Sequence, residues 1–453
     1  MSTLRRPAPV KLPQTLTIAG SDSGGGAGVQ ADLKTMEALD TFATSAITSL
    51  TAQNTVGVES IHPVPVEEIE AQVEAIRDDF ELQAVKTGML GVEPVVETVA
   101  SYAVDMDVPF VVDPVMVAAS GDRLLDHDAE AAYEELIAES TVVTPNADEA
   151  EILTDIPIAD PDSMQTAGQR LVEMGAEAAL IKGGHVGGEH VVRDVIVTQD
   201  DVTTLKHARV DSVATHGSGC TLSSAIAARL AHGEDIPDAI ESGVEFMTRA
   251  IRYPLDVGEG PGTVHHLANL RDRSARQPTQ KTVESVVQQL VSADVSAIVP
   301  EVGMNVVGAT PYAERPGDTV AVEGRIARTM SGIRSMRGTR FGASSHVARF
   351  LLSAREHDPA LRFAANLRFS DATERVLEGI DATVVEINRS NEPEPDEEGS
   401  TMSWAAERAF EQCETTPAIV FDRGDVGKEP ITRLLAKDDD DLTTRALSIA
   451  ERI

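Results

Sequence analysis

Two stretches of the chain combine residue types suited to phosphate chemistry. In THGSGCTLSSAIAARLA (215–231), three small residues precede Cys220 and an apolar helical pattern follows it. Free N–H groups and the positive end of a helix would face an anion there. A thiol at such a helix start is expected to have a lowered pKa and to act as a base or as an anion-stabilising group. A buried structural cysteine is the alternative, common for this residue type. The second stretch runs from Arg325 to Arg349 and holds six arginines (325, 328, 334, 337, 340 and 349) with no Asp or Glu. Guanidinium forks match phosphate oxygens, so in an acidic chain this reads as a local anion trap. An ion-pair network or a nucleic-acid patch is the alternative. Only Phe341 interleaves with the arginines and the surrounding region is acidic, which argues against nucleic acid.

Further candidates sit at the ends of apolar runs. Asp113 follows VPFVV, Asn146 and Glu149 follow TVVT, and Lys182 follows AALI. A nucleotide kinase needs carboxylates for magnesium and a cation for phosphates, which makes Asp113 and Glu149 the metal candidates. The loop AGSDSGGGAGVQADLKT (19–35) lacks the Gly-Lys-Ser/Thr of a P-loop. It also has Val29 where a dinucleotide fingerprint would need its third glycine. It permits close backbone approach to a ligand. In FGASSHVARFLL (341–352), Ser344 and Ser345 are N-cap candidates. His346 could protonate or orient a leaving pyrophosphate, or be structural. FDRGDVGKEP (421–430) offers Asp422, Arg423, Lys428 and Glu429 on a loop. His185, His216, His265 and His266 have no metal-ligand spacing and read as packing or loop residues.

The elements that must position these residues alternate. TLTIAG, AVKTGML, VPFVVDPVM, TVVTPN and AALIKGG read as buried strands; ADLKTMEALD, VEEIEAQVEAIRDDF, DAEAAYEELIAE and MQTAGQRLVEMG read as helices. That alternation predicts an α/β fold: a mainly parallel sheet flanked by helices, with ligands at the carboxyl ends of the strands. The polar, proline-containing stretch 269–282 is expected to be a linker between a first domain (1–268) and a second, smaller α/β domain (283–453). The second domain mixes a helix, TVESVVQQLVS, with strands AIVPEV, TVVEIN and AIVFD. An exposed acidic loop is expected at 388–400 and a capped terminal helix at the end.

Composition bounds the rest. With 74 acidic and 38 basic residues the net charge is −36, which repels nucleic acid and anionic membranes. Such a surface fits a protein working in molar salt, where repulsion is screened. Two cysteines exclude a disulfide framework or a cysteine zinc site, and fit a reducing cytoplasm. No run of eighteen apolar residues offers a membrane-spanning helix, and the start does not read as a secretory signal. A homodimer is expected.

AGSDSGGGAGVQADLKT, TAQNTVGV, VKTGML, DPVM, TPNADEAE, IKGGH and THGSGCT occur in order over 15–266. This region resembles the hydroxymethylpyrimidine/phosphomethylpyrimidine kinases of the ribokinase superfamily. The resemblance implies ATP and Mg2+ as cofactors. It implies that Asp32, Gln53 and Met89 hold an aminopyrimidine, that Gly217, Gly219 and Cys220 form an anion hole, and that Asn146, Glu149 and Lys182 serve Mg-ATP. Cys220 takes the place of the aspartate base of the superfamily's sugar kinases. Asp113 lies in the DPVM segment, and Ser218 stands where the family often has threonine.

EVGMN, GRI, GASSHVAR, NLRFS, GST and FDRGDVGKEP resemble the archaeal-type thiamine-phosphate synthase domain over 283–453. That resemblance implies condensation of the pyrimidine diphosphate with thiazole phosphate, with Arg325 and His346 functional and Arg340, Asn366, Arg368 and Lys428 as phosphate candidates. Two rivals stay open: a pyridoxal kinase in the first domain, and a non-catalytic thiamine-phosphate sensor in the second. No DNA-binding helix-turn-helix of the kind expected beside a sensor is evident.

Overall fold

The computed structural model describes residues 9–116, 129–184, 186, 190–389, 400–425 and 427–453. Two compact units follow one another, Met1–Asn269 and Leu270–Ile453.

The first unit is built on an eight-stranded sheet. From one edge its strands are Val202–Ala208, Val191–Thr198, Ala178–Ile181, Val142–Val143, Phe110–Val112, Leu82–Thr87, Gln14–Ala19 and Phe42–Ile47. From Ala178–Ile181 to Phe42–Ile47 every pair is parallel; the two edge pairs beyond are antiparallel. Alternate residues feed cores on opposite faces. Val85, Phe110, Val112, Val143 and Ile181 pack into one, and Ala84, Val111, Val142 and Leu180 into the other. This is why the sequence shows continuous apolar runs, since strands covered on both faces have no solvent side. Apart from the sheet, Ser49–Gln53 and Val58–Pro63 form a two-stranded antiparallel ribbon that carries Gln53 at its turn end.

The second unit has a seven-stranded sheet in the order Thr339–Phe341, Thr319–Val322, Val306–Ala309, Phe363–Arg368, Ile431–Ala436, Ile419–Asp422, Val384–Glu386. Only the last pair is parallel. A hairpin, Ile326–Thr329 with Gly332–Ser335, stands outside the sheet. The terminal helix Asp439–Arg452 is capped by Asp438, whose carboxylate accepts the Asp441 N–H.

Three local expectations need correction or limits. The stretch 269–282, expected as a linker, lies within one 25-residue helix, Ala268–Ser292, with Pro278 inside it. An internal proline costs a helix about 3 kcal/mol. Burial of Val283, Val286, Val287 and Leu290 at helical spacing opposes that cost, as tertiary packing usually does for helices. AIVPEV is not a strand; its start is a 3-10 turn, Ser296–Ile298. Of the expected acidic loop, residues 390–399 lie outside the described residues, as does His185. Among the described residues, no helix is long and apolar enough to cross a membrane.

Candidate active sites of the two units

The helix Ser218–Ala231 begins at Gly217, whose φ of +81° makes it an N-cap in the left-handed region. A Cβ on Gly217 would stand 1.8 Å from the Gly26 carbonyl oxygen, so the two glycine-rich loops meet main chain to main chain. Cys220 lies in the first turn of this helix. The expectation of a depressed thiol is not met. Burial pushes the Cys220 thiol up to about 11, with the Asp32 and Asp113 carboxylates adding to the rise; the Lys86 cation and the Gly28 N–H work the other way. At neutral pH the sulfur therefore carries its proton.

Beside the same helix end stand the residues expected for nucleotide and metal. A Cβ on Gly219 would be 3.5 Å from Asp113 Oδ2 and 3.6 Å from Lys182 Nζ. Lys182 Nζ is 3.2 Å from Asp113 Oδ1 and 3.8 Å from Glu149 Oε2. Asn146 and Glu149 form a capping box for the helix Ala147–Thr154, each side chain accepting the other's backbone N–H. Burial pushes the Glu149 carboxyl up to about 7; Lys182 opposes this and Asp113 reinforces it. Burial works against the charge on Lys182, yet Asp113 and Glu149 hold its pKa above the usual value. Two carboxylates with oxygen donors and a strained charge balance are the kind of set that fits Mg2+. Asp113 and Glu149 would hold it, and an ion there would add positive charge next to phosphate oxygens.

The ring-binding candidates divide. Met89 lies over Gly20: a Cβ there would be 2.4 Å from its Cε. Gln53 faces the glycine loop, with Ser23 Oγ donating to its carbonyl and accepting its N–H. Asp32 lies deeper than expected. It is 0% exposed, and its carboxylate accepts from Lys86 Nζ at 2.9 Å, Thr17 at 2.6 Å and Ser224 at 2.8 Å. With its oxygens engaged beneath the site, Asp32 positions the helix and Lys86 and does not present a free edge to a ring.

Sequence reasoning passed over Lys86 and Asp22. Lys86 is fully buried, and although burial disfavours its charge, Asp32, Cys220 and Asp113 raise its pKa above the usual lysine value. The signal was there: a lysine in the apolar strand LQAVKT must be paired when both faces are covered. Asp22 accepts N–H bonds from Gly24, Gly26 and Ala27, and its Oδ2 lies 3.3 Å from His216 Nε2. Burial works to raise the Asp22 carboxyl, but His216 and the loop amides outweigh it and hold it below the usual range.

In the second unit, Arg325 adopts φ +68°, and its side chain lies over Gly303 and donates to the Val302 carbonyl. Glu429 accepts the N–H groups of Glu301 and Val302 at 2.7 and 3.1 Å, which brings Lys428 to the same loop. Asn366 is committed to structure: its Oδ1 accepts the Asn305 N–H and its Nδ2 donates to the Gly303 carbonyl, so it holds the loop under Arg325 and is not a phosphate contact. Arg368 is half-buried at the end of its strand, paired in register with Ile431.

The expected arginine trap is smaller than its sequence window. Arg340 and Arg337 lie 3.2 and 3.7 Å from Glu323, just outside that window, and Arg328 donates to the Val299 carbonyl. His346 is exposed at the first position of the helix His346–His357, its Nδ1 3.3 Å from Ser345 Oγ. Ser345 is the N-cap but makes no side-chain cap bond. Arg325 follows the carboxyl end of Thr319–Val322, whereas the chain leaves for His346 from Gly342, which bonds Thr319 at the other end. One strand end therefore gathers Arg325, the Asn366-held loop and the Glu429 side chain, and His346 is approached from the opposite end.

The family model for phosphomethylpyrimidine kinase matches residues 22–265, over half of the chain. The chain belongs to the phosphomethylpyrimidine kinase family. A second family model, thiamine-phosphate synthase ThiN, matches residues 282–448. Among similar curated proteins, the hydroxymethylpyrimidine/phosphomethylpyrimidine kinase of Haemophilus influenzae is 45% identical over 57% of this chain and 98% of its own. That of Bacillus subtilis is 41% identical over 58% and 98%. Among solved structures, the pyridoxal kinase of Staphylococcus aureus in complex with pyridoxal matches 58% of this chain and 96% of its own, with TM-score 0.54 and 32% identity. An ADP complex of Bacillus subtilis pyridoxal kinase matches 57% and 99%, with TM-score 0.54 and 32% identity. The ribokinase-like α/β fold expected from the sequence is the one found. This member of the phosphomethylpyrimidine kinase family carries kinase and synthase units, both transferases, of thiamine biosynthesis.

Proposed function

We propose that the first unit phosphorylates the hydroxymethyl group of a 4-aminopyrimidine and then the resulting monophosphate. The second unit then joins the diphosphate to thiazole phosphate and releases pyrophosphate. The observation that carries the first half is the meeting of the Gly217–Cys220 helix end with Lys182, Asp113 and Glu149, beside the ribbon end that carries Gln53. Helix N–H groups and Lys182 stabilise charge growing on the transferring phosphoryl group. Mg-ATP, when bound, supplies that group and neutralises part of its charge. The protonated Cys220 thiol donates toward the anion and takes no proton in the resting state; Lys86 and Asp32 hold the floor below it. Gln53 and Met89 supply the ring contacts, one polar and one apolar.

For the second unit, Arg325, Arg368 and Lys428 supply cations at one strand end. An electron-rich aminopyrimidine stabilises a carbocation-like methylene as pyrophosphate departs, and arginine forks favour that departure. Support comes from the names of the curated relatives and of the second family. The test is the full chain in molar KCl with hydroxymethylpyrimidine, thiazole phosphate and Mg-ATP. Thiamine phosphate and pyrophosphate are the expected products. Faster turnover of pyridoxal than of the pyrimidine would overturn the first half, a reading kept in view by the pyridoxal kinase structures. Binding of thiamine phosphate without its synthesis would replace the second half with a sensor.

A further inference from the structure

We infer that His216, anchored by Asp22, fixes which way round the Gln53 side-chain amide faces, and so makes the kinase site select an amino over an oxo group on the pyrimidine edge. This rests on the substrate reading above and goes further, since it assigns a specificity role to a histidine that touches no metal and has no place in phosphoryl transfer.

Asp22 is 2% exposed, and its carboxylate is an acceptor only. His216 Nε2 lies 3.3 Å from Asp22 Oδ2, so that nitrogen carries the hydrogen and donates it. Gly26 lets the ring sit there: a Cβ on Gly26 would be 2.8 Å from His216 Cδ2. The structure sets Gln53 Nε2 3.4 Å from the same His216 Nε2, two donors face to face; with the amide half-turned, that one imidazole hydrogen is shared between Asp22 and the Gln53 oxygen. A donor at that place wants the amide oxygen, because a facing NH2 would set donor against donor. The other end of the amide agrees. Thr51 Oγ1 lies 3.3 Å from Gln53 Oε1, but gives its one hydrogen to the Ser21 carbonyl at 2.7 Å. Toward Gln53, Thr51 is therefore left as an acceptor, which suits the NH2. Amide oxygen and nitrogen exchange by a half-turn about the last bond, and the hydrogen-bond network chooses between them. Both neighbours therefore favour the half-turned amide, Oε1 to His216 and NH2 to Thr51.

Each amide atom keeps one further bond for a ligand. That leaves an acceptor and a donor side by side, the complement of an amino group next to a ring nitrogen. The 4-oxo counterpart presents the reverse, an acceptor next to an N–H. Without His216 one of the two restraints goes, and the amide is free to turn and serve either edge.

The experiment compares kcat/KM for 4-amino-5-hydroxymethyl-2-methylpyrimidine and for its 4-oxo counterpart in wild type, His216→Ala and His216→Gln. The glutamine variant returns an N–H donor near the place of Nε2. The amino/oxo preference is expected to fall about tenfold or more in His216→Ala, the scale of one bidentate pair, and to recover in His216→Gln. A merely structural histidine would lower both rates together and leave their ratio alone. An unchanged ratio in His216→Ala, or no recovery with glutamine, overturns the inference while the kinase reading stands. If wild type phosphorylates neither pyrimidine but does phosphorylate pyridoxal, the substrate reading falls and takes the inference with it.

Discussion

Lys86 Nζ lies 2.9 Å from both carboxylate oxygens of Asp32, and neither side chain is exposed to solvent. Removing one partner of such a pair leaves an uncompensated buried charge, at a cost of roughly 3–5 kcal/mol. Lys86→Met and Asp32→Leu should each lower the first thermal transition sharply, while the double variant recovers much of the loss. A double variant no better than the singles would show that the pair does not act as a unit.

Glu149 gives the kinase a pH dependence of predictable sign. Its carboxyl is pushed up to about 7, so a proton is taken up as pH falls through that value and the anionic donor is lost. The kinase rate at limiting Mg-ATP should decline below pH 7, and Glu149→Gln should be slow and flat across that range. Stability runs the other way. A raised carboxyl favours the folded state below the unfolded value near 4.5, and that contribution is lost as pH rises through about 7. In a chelator at pH 8, Glu149→Gln should therefore melt higher than wild type. A lower melting temperature would contradict the sign.

Cys220 should be a slow thiol. With its pKa pushed up to about 11, alkylation by iodoacetamide at pH 8 should be roughly a hundredfold slower than for a free cysteine. Peptide mapping against time checks this. Cys220→Ala should cut kinase turnover and spare synthase activity, and Arg325→Ala should do the reverse. Loss of both activities from either change in folded protein would end the two-site assignment.

Arg325 and Asn366 should separate function from support. Arg325→Lys keeps a charge but loses the fork, and synthase turnover should fall by about tenfold or more with the kinase rate untouched. Asn366→Ala strands the Asn305 N–H and the Gly303 carbonyl, at a cost of about 1–3 kcal/mol of stability in the second unit. Equal melting temperatures for wild type and Asn366→Ala would refute the supporting role.

Much of the kinase unit was legible because its chemistry lies in short segments at strand ends. Asp113, Asn146, Glu149 and Lys182 each follow an apolar run, and a parallel sheet brings such ends together. Depth was not legible. Asp32 has the same residue type as an exposed ligand would, and only its place among Val29, Thr35 and Met36 on the buried helix face marks it as interior. The Cys220 reading took the helix end into account and missed that burial dominates. The arginine window failed for a different reason: Glu323, two residues before its start, returns to Arg337 and Arg340 through pairing of Thr319–Val322 with Thr339–Phe341. Antiparallel partners of that kind cannot be read from a linear count of charges.

The glycine-rich loop carries its own anion. The amides of Gly24, Gly26 and Ala27, which a phosphate would seek, are already given to Asp22. A polyanion arriving there would meet a buried carboxylate instead of open donors, whereas a neutral ring would not. At the Gly217–Gly219 end the amides of a helix start stand beside Lys182, with Asp113 and Glu149 next to it. Two loops in main-chain contact at Gly26 and Gly217 thus differ in what they offer: amides already taken by a carboxylate on one, helix amides and a lysine on the other.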